Sequence, residues 1–97
     1  MAKLFSQDLL YRIRNDIPLH SVLQQVGWPH KRREGRWCFL CPQCGETLTA
    51  IHPHTNLGRC FPCKINFNTI DMVMTARGCD FVDAVHFLET LLDTSHR

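Results

Sequence analysis

Two close cysteine pairs, Cys41-Pro42-Gln43-Cys44 and Cys60-Phe61-Pro62-Cys63, constrain this chain more than any other feature. A Cys-x-x-Cys turn places two thiolates on one ion, and a second such turn supplies the other two. Zinc favours tetrahedral coordination by sulfur and nitrogen and needs no redox chemistry. The spacing therefore predicts one structural zinc held by Cys41, Cys44, Cys60 and Cys63, with a β-hairpin joining the pairs. A closed four-thiolate shell has no open position for a catalytic water. Iron accepts the same shell, so ligand type alone leaves zinc against iron, and a platform against an electron carrier, open.

Composition narrows the setting. A chain of 97 residues predicts a single domain, 1–97, with only a modest core. Metal binding compensates for such a core, because the binding energy is also folding energy. Six cysteines could instead form disulfides. The opening Met1-Ala2-Lys3-Leu4-Phe5-Ser6 lacks the apolar stretch of a secretory leader, however, so a reducing cytoplasm and a metal site are expected. No apolar run approaches the ~20 residues that cross a bilayer, so no membrane role is expected. The net charge of +2 decides little, but its distribution is uneven. Lys31, Arg32, Arg33 and Arg36 crowd together, whereas Asp71, Asp80, Asp83, Glu89 and Asp93 lie toward the C-terminus.

Hydrophobic periodicity predicts helices before and after the metal module. In the N-terminal part (6–26), Ser6 reads as a cap and Leu9, Leu10 and Ile13 form a stripe. Pro18 opens a second helix with Leu19, Val22, Leu23 and Val26 inward and Gly27 as its stop. Residues 28–35 read as a basic turn. The zinc ribbon (36–64) carries strands over 36–40, 47–52 and 57–60, in a sheet of three or more strands. In the C-terminal part (68–92), Asn68 and Asp71 predict a capping box, with Ile70, Val73 and Met74 buried. Asp80 caps the last helix, whose stripe is Phe81, Ala84, Val85, Leu88 and Leu92. The fold class is α+β, a zinc ribbon flanked by short helices.

Two further cysteines and two histidines compete for the metal. Cys38-Phe39-Leu40-Cys41 is also a Cys-x-x-Cys, but turn chemistry (Pro42, Gly45) surrounds Cys41 and Cys44. Cys38 reads as a small buried hydrophobe. Cys79 has no partner thiol in sequence, and His52 and His54 read as solvent-facing turn residues.

The ligand pairs and their flanks resemble the N-terminal zinc-binding domain of bacterial and phage-type DNA primases. That domain runs Cys-Pro-x-His, a hairpin, Cys-x-x-Cys, then a helix opening near Asn-Ala-Ile-Asp-Phe. Here Asn68-Thr69-Ile70-Asp71-Met72 follows the second pair. Asp16-Ile17-Pro18-Leu19 resembles the early helix, and Gly35-Arg36-Trp37 stands where the family has Gly-x-Tyr. Gly78-Cys79-Asp80-Phe81-Val82-Asp83-Ala84-Val85 is similar to the family's Gly-x-Ser-Phe-x-Glu-Ala-Val. The likeness runs from about Leu9 to Leu92.

Three departures accompany it. Cys44 stands where the family has histidine, which keeps tetrahedral binding and adds a negative charge. The hairpin is slightly short, with Ala50 and Leu57 near positions that are aromatic in relatives. The chain also has no room for the catalytic domain that follows in primases, so no enzymatic activity of its own is expected.

The resemblance implies binding of single-stranded template DNA during primer initiation, beside a separate primase catalytic chain or a helicase. Phosphate contacts would fall to Lys31, Arg32, Arg33, Arg36, Arg59 and Lys64, and base stacking to Trp37 and Phe61, with Phe39 as a further aromatic. The alternative is a zinc-stabilised protein-interaction module that docks a replication protein or a second copy through its C-terminal helix.

Overall fold

The computed structural model describes residues 5–95 and the side chains of residues 5–92. The chain runs α1 (Gln7–Asn15), α2 (Leu19–Val26), β1 (His30–Arg33), β2 (Arg36–Phe39), β3 (Thr49–His52), β4 (Leu57–Cys60), β5 (Ile65–Phe67), α3 (Thr69–Arg77) and α4 (Phe81–Ser95). The strands form one antiparallel sheet in chain order.

The helix ends follow the local chemistry. Ser6 accepts a hydrogen bond from the Leu9 N–H, which satisfies one orphan donor of α1. Gly27 ends α2 and Gly78 ends α3, both in the left-handed region. The capping box of α3 is reciprocal: the Asp71 N–H donates to Asn68 Oδ1 at 2.8 Å and the Asn68 N–H to Asp71 Oδ2 at 3.0 Å. The Asp83 N–H donates to Asp80 Oδ1, capping α4 as the sequence predicts.

All four helices contribute to one core against one face of the sheet. Ile13, Val22, Leu23, Met72 and Leu88 belong to the same buried cluster as Phe39, Ile51 and Phe67. Residues paired across strands share a face, and neighbours along a strand alternate. Phe39 and Thr49, and Ile51, Gly58 and Phe67, therefore point to the helices. Gly58 is required by packing: a Cβ there would run into the Phe39 ring.

Four expectations need correction. The ribbon is wider than 36–64, because residues 30–33, read as part of a turn, form β1, and Ile65–Phe67 add β5. β1 is almost wholly polar, so periodicity hides it. Its cause is the two-residue Glu34-Gly35 turn, both residues at positive φ (51° and 79°), which closes a tight hairpin on β2. In α3 the buried face is Thr69, Ile70, Met72 and Val73, leaving Met74 half-buried. Phe81, expected in the core stripe of α4, is exposed and packs its ring on Phe5.

Candidate metal centre and basic sheet face

The two cysteine turns are near copies of one backbone device. In the first, the Gly45 N–H donates to the Cys41 carbonyl at 3.0 Å, with Gly45 at φ 77°. In the second, the Lys64 N–H donates to the Cys60 carbonyl at 2.8 Å, with Lys64 at φ 58°. Glycine adopts this conformation freely, whereas lysine does so at a cost of roughly 1 kcal/mol. Lys64 is thus a structural residue of the second turn as well as an exposed cation, a role that no local sequence signal marks.

These turns converge the four thiols, whose Sγ atoms all lie within 4.8 Å of one another. Cys41 and Cys63 are 3.9 Å apart and Cys44 and Cys60 3.5 Å. A tetrahedron with Zn–S bonds of ~2.3 Å requires S···S separations of roughly 3.8 Å. The set fits a zinc ion, and none of the four cysteines forms a disulfide. Cys38 is buried and stands outside the cluster, and Cys79 donates weakly to the Val73 carbonyl at 3.8 Å, so both behave as packing residues.

The electrostatics of the cluster suit it to a cation. Burial pushes the Cys41 thiol up, but hydrogen bonds from the Cys44 and Gln43 backbone N–H groups outweigh it, and the thiol falls to about 7. Hydrogen bonding with the Cys44 thiol, then burial and the Cys60 and Cys41 thiols, push Cys63 up to about 12. Cys44 also titrates high: although the Glu46 backbone N–H favours its thiolate, burial and the neighbouring thiols outweigh that help. The Cys41 thiolate thus opposes ionisation of Cys44 and Cys63, an opposition that a cation relieves.

The predicted nucleic-acid residues fall into two groups. Register places Lys31 with Cys38, Cys38 with Ala50, Ala50 with Arg59, and Arg59 with Asn66. Arg33 and Arg36 pair on the same side. Lys31, Arg33, Arg36 and Arg59 therefore share the sheet face opposite the helices, and no acidic residue occupies a strand position on that face. A cavity of about 470 Å³ lies on it, lined by Arg33, Glu34, Arg36, Cys38 and Leu48. Phe61 extends from the second cysteine turn at 71% exposure, with the Arg59 guanidinium 5.9 Å from its ring centre. Lys64 is exposed at the same turn.

Arg32 and Trp37 pair with each other on the opposite side. The Trp37 ring stacks on His20 at 5.1 Å and 1°, with the Arg32 guanidinium 6.0 Å from its centre. Phe39 is 1% exposed and belongs to the core.

A small antiparallel sheet carrying one tetrathiolate site on paired cysteine turns defines a zinc ribbon. The chain belongs to the CHC2 zinc finger family, the DnaG zinc ribbon, which it matches over residues 5–96. Zinc is accordingly the metal that Cys41, Cys44, Cys60 and Cys63 are placed to hold. No individually curated protein matches the sequence. The matched family is that of the ribbon alone. Among the described residues no helix is long and apolar enough to cross a membrane.

Proposed function

We propose that this zinc ribbon is a template-binding module that holds single-stranded DNA across the open face of its sheet during primer initiation. The observation that carries the reading is the register of Lys31, Arg33, Arg36 and Arg59 on one face, ending at an exposed aromatic, Phe61. A single strand offers phosphates every few ångströms and unpaired bases with flat faces. A cationic sheet meets the former and an exposed ring the latter. Zinc, in this reading, is structural: it fixes the two turns that carry Phe61 and Lys64. The chemistry of primer synthesis belongs to a catalytic domain or chain acting beside this one, or to the machinery that a helicase recruits.

The test is a titration of zinc-loaded protein with labelled single-stranded and duplex oligonucleotides at two salt concentrations. Preferential single-strand binding that weakens as salt rises is the expected result, because bound phosphates release counterions. Absence of binding to either form at low salt would overturn the reading and favour the protein-docking alternative.

A further inference from the structure

The ladder between β2 and β3 is shorter than its neighbours. β1 pairs with β2 as far as Arg33–Arg36, and β3 with β4 as far as His52–Leu57. β2 and β3 pair only at Phe39–Thr49 and Cys38–Ala50. Beyond that point a groove of about 600 Å³ opens where Arg36 and Trp37 face Ile51 and His52. His20 from α2 and His54 from the β3–β4 turn complete its walls.

Three properties of this groove belong together. Its volume suits a small-molecule ligand. Its ionisable lining consists of His20, Arg36, His52 and His54, with no carboxylate. Imidazole N–H and guanidinium groups are donors, so the site favours an anion. Its one large flat surface is Trp37, braced by the parallel His20 ring. His52 and His54 are exposed, and their rings lie 5.8 Å apart. Among the described residues neither imidazole has a hydrogen-bond partner, although the His52 carbonyl accepts the Asn56 N–H at 2.9 Å. An aromatic plane beside phosphate donors, without competing acids, is the chemistry that recognises a nucleotide.

We propose that this groove binds a nucleoside phosphate, with the base against Trp37 and His20 and the phosphates at Arg36, His52 and His54. The site meets the open face at one end: Arg36 and, by register, His52 share that face, Trp37 lies on the helix side, and Lys31, Arg33 and Arg59 do not line the groove. Because Lys31, Arg33 and Arg59 do not line the groove, loss of template binding and loss of nucleotide binding are distinguishable. The same chemistry is offered by a free nucleoside triphosphate and by the 5′-phosphorylated end of a strand.

The experiment follows the Trp37 indole and the His20, His52 and His54 imidazoles by NMR in the zinc-loaded protein. Adenosine triphosphate, adenosine, inorganic tripolyphosphate and a 5′-phosphorylated oligonucleotide are titrated separately. Adenosine triphosphate is expected to shift all four side chains, with adenosine and tripolyphosphate each at least tenfold weaker (an order-of-magnitude expectation for losing the charge-assisted or the stacking half). The double variant His52→Ala, His54→Ala is expected to lose about tenfold in affinity with unchanged thermal stability, since both side chains are exposed. Competition by the oligonucleotide would assign the groove to a strand end, and its absence to a free nucleotide; either supports the site. No shifts at millimolar nucleotide, or equal binding of tripolyphosphate and adenosine triphosphate, would overturn it.

Discussion

Asn56 caps helix α2 at Leu19 from 37 positions away in sequence: its Oδ1 accepts the Leu19 N–H at 2.8 Å. The residue in the N-cap position, Pro18, has no side-chain acceptor. The same Asn56 amide donates to the Arg14 carbonyl at 2.8 Å and the Ile17 carbonyl at 2.7 Å. Thr69, fully buried, donates to the neighbouring Ile13 carbonyl at 2.7 Å. The end of α1 and the start of α2 are thus completed by the β3–β4 turn and the head of α3. These side chains fix the helices to the ribbon.

Asn56 is therefore expected to be among the costliest polar positions to change. Asn56→Gly keeps the left-handed backbone (φ 57°) and removes three hydrogen bonds, which predicts a loss of about 2 kcal/mol. Asn56→Ala adds roughly 1 kcal/mol for the positive φ. Asn56→Asp retains the acceptor for Leu19 but sets a carboxylate against two carbonyls, so it should be no better than Ala. Urea unfolding of the three zinc-loaded variants checks the order, and equal stability to the parent would refute the staple.

Gly58 makes a second prediction, this time from volume. In a strand, replacing glycine by alanine ordinarily helps by a few tenths to 1 kcal/mol. Here the added methyl meets the Phe39 ring, so Gly58→Ala should destabilise by about 1–3 kcal/mol despite that gain. Phe39→Leu costs stability by itself. Combined with Gly58→Ala it should cost less than the two changes summed, because the smaller side chain makes room for the methyl. Strict additivity of the two changes would show that the ring does not hold the position.

What was legible in the sequence follows from the range of the interactions involved. The cysteine turns, the Asn68–Asp71 box and the Asp80 cap are each written within a few residues, and each forms as its local chemistry dictates. β1 was not legible because His30-Lys31-Arg32-Arg33 has no apolar alternation; it is a strand because β2 folds back on it. Nothing near Asn56 in the sequence marks its role, since its partners lie in a different part of the chain. Phe81 carried the right helical period for the core, yet it sits at the helix start and remains largely exposed. The division of the basic residues between two faces depends on register, which composition and spacing do not encode.

Zinc uptake should carry a distinct proton signature. At pH 7 the raised Cys44 and Cys63 are neutral thiols, and both must ionise to bind metal. Zinc binding at that pH should release at least these two protons, measurable by calorimetry in buffers of different ionisation enthalpy. Protons compete with the metal, so affinity rises with pH. The dependence should steepen below about 7, where Cys41 also becomes protonated before binding. A pH-independent affinity would contradict the coupled cluster. Cys60→Ser removes one of the four sulfur ligands and is expected to lower both zinc affinity and melting temperature.

The two-faced distribution of cations gives the sharpest test of how a strand would lie. Arg33 and Arg59 share the open face, whereas Arg32 is exposed on the helix side beside Trp37. Net charge alone would make loss of any of these arginines equally harmful. A strand held on the open face requires otherwise: Arg33→Ala and Arg59→Ala should each weaken single-strand binding and reduce the salt slope by roughly 0.7. Arg32→Ala should change both much less. Phe61→Ala should cost about 1–3 kcal/mol of binding through lost base stacking, with little effect on melting temperature, because its ring is mostly exposed. Fluorescence anisotropy at several salt concentrations measures all four variants. An Arg32→Ala effect equal to that of Arg33→Ala would remove the open face from its role and leave only general attraction to a basic hairpin.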